Sequence, residues 1–226
     1  MNILSAGAAK GLLHTIAANA GIELDGEFGA VGAIRDRLTA GARCDVIVLT
    51  ASMIAELAAA GVVDEGSVLA LGRVHTGIAL PSSRAAMQVT SVESLRSLCE
   101  NASKLYFPDP VRATAGIHCL KVLTALGLAD SHRDRFATFP NGATAMRAMA
   151  DSGDAHAIGI TQCSEILYTA GVQYAGALPA PYALSTIYTA AIIRSAQNAP
   201  EARRLLAALS SPSNEKIVRE AGFDVV

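Results

Sequence analysis

Four short stretches of this sequence combine small residues with hydroxyls or amides. They are Ser5-Ala-Gly-Ala, Phe28-Gly-Ala-Val-Gly-Ala, Asp109-Pro-Val-Arg-Ala-Thr-Ala-Gly and Phe139-Pro-Asn-Gly-Ala-Thr-Ala. The first joins a short apolar run, Asn2–Ser5, to a helical pattern that continues to about Ala20. A strand that turns through residues this small into a helix leaves main-chain N–H groups uncovered at the helix start. Those groups and the helix dipole favour an anion. Small side chains also let a ligand approach the backbone, and hydroxyls and amides add neutral donors. Four such junctions in one chain point to a common pocket. The second is not a nucleotide P-loop, because no Gly-Lys-Ser/Thr follows it.

Few titratable residues stand near these stretches, and each has a plain structural reading beside the chemical one. Arg112 could clamp a carboxylate in bidentate fashion, or be a solvated loop arginine. Lys10 could neutralise an anion from the first helical turn, or be an ordinary surface lysine. His118 could be a general acid or base, or a half-buried helix histidine. Glu165 follows Gln162 at a predicted helix start, where the dipole stabilises a carboxylate with or without a catalytic role. Thr186 and Tyr188 fit ordinary strand propensity. The remaining histidines, His14, His75, His132 and His156, are scattered without metal-ligand spacing, so neither a metal nor a cofactor is expected. Cys163-Ser-Glu is not a nucleophile elbow, and no Ser-His-Asp set can be assigned.

The elements that must carry these residues alternate between strand and helix. Strand-like runs are expected at Gly26–Gly29, Cys44–Leu49, Val74–Leu80, Leu105–Phe107, His156–Ile160 and Ile187–Ile193. Helices are expected at Ala33–Ala40, Met53–Ala60, Ser91–Cys99, Ala115–Leu126, Asn141–Ala150, Ser164–Tyr168, Glu201–Leu209 and Asn214–Ala221, with Gly61 and Gly127 as stops. Near-continuous apolar strands alternating with helices predict an α/β architecture with mostly parallel sheets. At 226 residues, 51% hydrophobic and 17% charged, the chain can bury a large core or two smaller ones. The net charge of −2 and the lack of a basic stripe argue against a nucleic-acid partner. No apolar run approaches the roughly 20 residues of a transmembrane helix. Cys44, Cys99, Cys119 and Cys163 form no C-x-x-C pair and read as small hydrophobes, with disulfides left open.

In this order the motifs resemble the type II solute-binding proteins related to the periplasmic molybdate-binding protein. The ordered set is Ser5-Ala-Gly-Ala, Gly29-Ala-Val-Gly, Gly41 with Cys44-Asp-Val-Ile, Pro108-Asp-Pro with Ala115-Gly-Ile-His, Ala157-Ile-Gly-Ile-Thr-Gln, and Gly222-Phe. The resemblance runs over essentially the whole chain. It implies two doubly wound α/β lobes joined by two hinge strands, the crossings lying near His75–Pro81 and Leu184–Ile193. One lobe would hold residues 1–78 and 191–226, the other 79–190, closing over an anion in the cleft between them. Departures from the family pattern fall at its hydroxyl donors. Ala8 stands where molybdate binders carry a serine, Ala30 and Val31 where they carry another, and Gln162 where a tyrosine is common.

The ligand set implied by the resemblance is therefore Ser5, Ala6, Gly7, Ala8, Ala30, Val31, Thr50, Arg112, Thr114, Ala115, Asn141, Thr144 and Gln162, with Ser5, Thr50, Thr114, Asn141, Thr144 and Gln162 able to serve a ligand with several oxygens. It would suit an oxyanion or a larger di- or tricarboxylate. A receptor of this kind, if exported, would pass its ligand to an ABC-type membrane permease. The missing hydroxyls also resemble a divergent branch of the family that includes aconitate-isomerase-like proteins. That branch implies the alternative of a cofactor-free proton shift on a small unsaturated polycarboxylate, with His118 and Glu165 as the acid and base. As written, the chain opens at Met1 without a leader and reads as cytoplasmic; a removed signal peptide would make it periplasmic.

Overall fold

The computed structural model describes all 226 residues, Met1–Val226. In chain order its elements are β1 (Asn2–Ala6), α1 (Lys10–Asn19), β2 (Asp25–Gly29), α2 (Val31–Thr39), β3 (Val46–Thr50), α3 (Ala51–Ala59), β4 (Leu69–Pro81), α4 (Val92–Glu100), β5 (Leu105–Pro108), α5 (Thr114–Ala125), β6 (Phe136–Phe139), α6 (Gly142–Asp151), β7 (Ile158–Gln162), α7 (Cys163–Tyr168), β8 (Val172–Ala177), β9 (Ser185–Ile192), α8 (Ala199–Leu209) and α9 (Glu215–Glu220). Two compact units result. The first holds Met1–Val74 and Thr186–Val226, the second His75–Ser185. The chain passes from one to the other inside β4 and again at the head of β9.

In the first unit β1 lies between β2 and β3, parallel to both, and β9 runs antiparallel along β3. Burial follows from position in this sheet. Val46, Ile47, Val48 and Leu49 of the inner strand β3 are all fully buried. The outer strand β2 alternates exposed and half-buried residues, as an edge with one covered face does. Helix α1 buries Leu12, Leu13, Ile16 and Ala17, the stripe expected of an amphipathic helix on a sheet. Helix α2 starts at Val31, two residues before the expected Ala33, and buries Val31 and Ile34 ahead of its charged residues.

One buried carboxylate fastens this unit. Asp45, 2% exposed, accepts the main-chain N–H of Asn2 at 2.8 Å, of Gln197 at 2.8 Å and of Asn198 at 3.0 Å, and the Asn198 side-chain amide at 3.3 Å. It thereby ties the start of β1 to the residues that lead into α8. Neither α8 nor β1 has a side chain of its own in that role.

The second unit has the sheet order β4-β7-β5-β6, with β8 on the other side of β4. Strands β5, β6 and β7 are parallel, while β4 is antiparallel to both β7 and β8. The sheets are thus mixed rather than mostly parallel, and β6 and β8 are short strands that the sequence pattern does not mark. Each face has its own core. Ile78, Leu80, Ile158 and Ile160 pack with Leu95 and Leu98 of α4 and with Cys119, Val122 and Leu123 of α5. Ala79 and Tyr106 pack on the opposite face with Met146 and Met149 of α6 and Ile166 of α7. Gly127 follows α5 with φ of 74°, a left-handed turn that a side chain would strain and that ends the helix.

Burial alone would raise the pKa of Asp45. The donors from Asn198, Asn2 and Gln197 more than offset it, and the carboxyl is held below its ordinary value. Such a group stabilises the fold above its unfolded pKa, about 3.9. The contribution disappears as pH falls through the lower, folded value. Replacing Asp45 by Asn should cost about 2–3 kcal/mol, the range for hydrogen bonds to a charged group. It should also flatten the loss of stability below about pH 4. Urea unfolding between pH 3 and 7 checks both, and parallel acid limbs in the two proteins would contradict this role for Asp45.

Candidate functional site

The three parallel strands of the first unit end at one edge, with Ser5 level with Phe28 and Val48 and Ala6 level with Gly29. At that edge β1 turns through a single 3-10 turn, Gly7–Ala9, into α1. No side chain caps either the turn or the helix, and Gly7, Ala8 and Ala9 are buried. Helix α2 starts the same way. Ala30 occupies its cap position without a side-chain bond, and Ala30 and Val31 are both buried. The hydroxyls nearby are already engaged. Ser5, fully buried, donates its proton to the Ala6 carbonyl at 3.0 Å. Thr50 caps α3 by accepting from Met53 N at 3.4 Å, and it shares a 3.1 Å bond with Ser52. What this edge offers a ligand is main-chain N–H. Lys10, in the first turn of α1, places Nζ 5.6 Å from the centre of the Phe28 ring, a cation–π distance. His14 lies 5.1 Å from the same ring, and burial, then Lys10, lowers its pKa.

In the second unit the junctions divide into two kinds. Between β5 and α5, Asp109 accepts from Val111 N at 2.7 Å and Arg112 N at 3.1 Å, which tightens the loop. A Cβ at Gly116 would collide with the carbonyl oxygens of Pro108 and Asp109, so glycine lets α5 settle on the end of β5. Helix α5 then begins at Thr114, with Ala113 in the cap position and no side-chain bond. Arg112 is exposed at the mouth of this loop.

Helix α6 is the opposite case, because its first turn is satisfied from within. Asn141 Oδ1 accepts from the main chain and from the hydroxyl of Thr144, both at 2.9 Å. The carboxylate of Glu165 lies against this first turn, where a Cβ on Gly142 would fall on its Oε2, and the nearby main-chain amides of Ala143, Gln162 and Gly142 act to lower its pKa. Thr161 Oγ1 donates to the same group at 2.6 Å. Glu165 is 6% exposed. It sits where an external anion would sit at a helix start. Asn141 and Thr144 thus cap α6 from its own loop, which lies beside the α5 junction, where Asp109 N donates to the Phe139 carbonyl at 2.7 Å, and Glu165 lies against the same helix start from α7.

A different group of polar atoms has no partner at all. Gln162 ends β7 directly opposite Thr76 of β4. Directly opposed residues of an antiparallel pair share a face of the sheet. Alternation along the strands puts this pair in line with Ile160 and Ile78, on the face that α4 and α5 cover. Gln162 is 2% exposed and Thr76 is 1% exposed. Neither Gln162 Oε1, Gln162 Nε2 nor Thr76 Oγ1 has a hydrogen-bond partner, and Ser164 Oγ is buried in the same condition. Each such group costs roughly 1–3 kcal/mol unless something completes it. The β5–β7 register, Tyr106 against Gly159, carried on three residues sets Gln162 level with Asp109, where the loop to α5 begins.

His118 stands one turn into α5, half-buried, with Nε2 2.7 Å from the carbonyl oxygen of Tyr182. A carbonyl can only accept, so Nε2 carries the proton. In the neutral ring the lone pair is then on Nδ1. Gln162, Thr114, Ala115 and His118 thus belong to one end of the second sheet. Thr76 joins them, although within the apolar run Val74–Leu80 a lone threonine reads as part of the core. No three His, Cys, Asp or Glu side chains are grouped to hold a metal ion, and no helix is long and apolar enough to cross a membrane.

The sequence matches the bacterial extracellular solute-binding protein family over residues 1–224. It is 24% identical over 236 residues to an aconitate isomerase from a Pseudomonas species, covering 100% of this chain and 88% of that protein. The fold superposes on the periplasmic molybdate-binding protein of Azotobacter vinelandii with a TM-score of 0.78 at 19% identity, covering 100% of this chain and 99% of the other. It superposes on a sulfate-binding protein of Mycobacterium tuberculosis with a TM-score of 0.72 at 15% identity, covering 100% and 86%. These likenesses show the fold of a periplasmic solute-binding protein.

Burial pushes the Glu165 carboxyl above its ordinary value, against the pull of Thr161 and the main-chain donors. A raised folded pKa stabilises below the unfolded value, about 4.3 for Glu, and that stabilisation is lost as pH rises through the folded value. Stability should therefore fall with rising pH above about 4 by a slope that Glu165→Gln removes. Gly142→Ala, whose Cβ would collide with Thr161 Oγ1 and Glu165 Oε2, should cost about 1–3 kcal/mol. Chemical denaturation of the three proteins across pH 4 to 8 reads both effects. A neutral Gly142→Ala would mean that α6 and Glu165 do not meet.

Proposed function

The chain belongs to the bacterial extracellular solute-binding proteins, and from that premise we propose that it binds a small anionic ligand, an oxyanion or a di- or tricarboxylate. The observation that carries this reading is the unpartnered pair Gln162 and Thr76 at the end of β7, level with the start of the uncapped α5 junction. Buried polar groups are ordinarily hydrogen-bonded, and a ligand's oxygens would supply what these lack. The starts of α1 and α2, in the first unit, are uncapped in the same way. A set of neutral donors and helix starts suits a charged ligand, because it stabilises the anion without introducing a fixed counter-charge. Arg112 would meet a carboxylate from the exposed side of the loop that leads into α5. In this reading the protein works outside the cytoplasm, in keeping with a family of extracellular solute-binding proteins, and it delivers its ligand to an ABC-type membrane permease.

Titration calorimetry against molybdate, sulfate, phosphate and a set of di- and tricarboxylates tests the proposal. At least one should bind with a Kd of about micromolar or tighter, a free energy on the order of −8 kcal/mol. Gln162→Ala should weaken that ligand roughly 10- to 100-fold, the loss expected for one or two hydrogen bonds to a charged group. Absence of any heat at millimolar ligand would refute it.

A second reading rests on the relative named as an aconitate isomerase and on the tautomer of His118. With Nε2–H held by Tyr182 O, Nδ1 is the nitrogen able to take a proton from a carbon acid. Glu165, enclosed by its four donors, would position α6 and Gln162 rather than touch substrate. Proton NMR of cis- or trans-aconitate with the protein in deuterium oxide separates the two readings. Isomer formation or deuterium uptake that His118→Ala removes would establish the enzyme. Unchanged aconitate would leave binding as the function.

A further inference from the structure

The orphaned atoms at the end of β7 are not all of one kind. Gln162 Nε2 carries two hydrogens and can serve two ligand oxygens, and the Thr76 hydroxyl can serve another. Gln162 Oε1 can only accept, and it is as deeply buried and as unpartnered as the rest. No hydrogen bond joins it to Thr76 across the strand pair. Which end of the amide is oxygen does not affect the point, since both ends lack a partner. An anion with oxygens alone satisfies the donors and leaves this acceptor facing negative charge. An anion with an O–H or N–H beside its charged oxygens satisfies both.

We infer that the ligand is a small anion bearing its own hydrogen-bond donor, and that the Gln162 carbonyl selects it against aprotic oxyanions. This rests on the anion-binding reading above and narrows its ligand class. Two sources share the chemistry: a protonated inorganic oxyanion and a hydroxycarboxylate.

Titration calorimetry at pH 7.5 on the full chain, with matched pairs, separates them. The pairs are hydrogenphosphate against sulfate, malate against succinate, and citrate against tricarballylate; in each the first member carries the donor and the second lacks it. The donor-bearing member of at least one pair should bind about tenfold or more tightly. A preference in the first pair alone identifies the inorganic source, and one in the other pairs the hydroxycarboxylate. In Gln162→Leu that ratio should fall to near one, while Thr76→Val should weaken both members and preserve the ratio. Gln162→Met gives the same reading if the leucine variant does not fold by circular dichroism. Equal binding within every pair, or tighter binding of the aprotic members, overturns the inference and leaves anion binding standing. A ratio that survives in a folded Gln162 variant overturns it too. No binding by any of the six overturns the inference, and the anion-binding reading is then decided by the molybdate titration above.

Discussion

A helix that departs from the end of a buried strand begins with main-chain donors that something must accept. Much of this molecule can be read as answers to that constraint. At α3, α4 and α6 the answer is a side chain from the cap position, Thr50, Ser91 or Asn141. At α6 a second answer arrives from a later element, the carboxylate of Glu165. At α1, α2 and α5 no side chain answers, and alanine occupies the position where one would. The same backbone geometry is thus closed by a side chain in some places and left uncapped in others. The difference is made by single residue types at fixed places in the turn.

The two buried carboxylates show how far environment separates identical chemistry. Asp45 and Glu165 are both deeply buried, and each is surrounded by several donors. For Asp45 the hydrogen bonds outweigh burial and the charged form is favoured. For Glu165 burial outweighs them. Neither faces solvent, and each holds together segments distant in sequence. A carboxylate at a helix start is therefore poor evidence of catalysis by itself: the same placement serves as well for fastening the helix.

Much of this was legible from residue types. The apolar run Val46–Leu49, the stops at Gly61 and Gly127, and the four small-residue junctions appear in the sequence because each reflects a local requirement of burial, backbone angle or close approach. Gln162 stood out because it replaces a tyrosine in the family pattern. What was not legible depends on contacts across the chain. Glu165 looks like an ordinary residue of a helix start until α7 is placed beside the first turn of α6. Thr76 looks like core until its partner strand shows it opposite Gln162. Strands β6 and β8 are short and only partly buried, so their patterns are too weak to mark them.

The Glu165 contact also limits how the second unit can move. Helix α6 begins at Gly142, and the carboxylate lying against its first turn comes 23 residues later in the chain, on α7. Thr161, which donates to that carboxylate, is the neighbour of Gln162 on β7. The start of α6 and the strand end that carries Gln162 are therefore fastened to one group, and a shift of either is felt by the other.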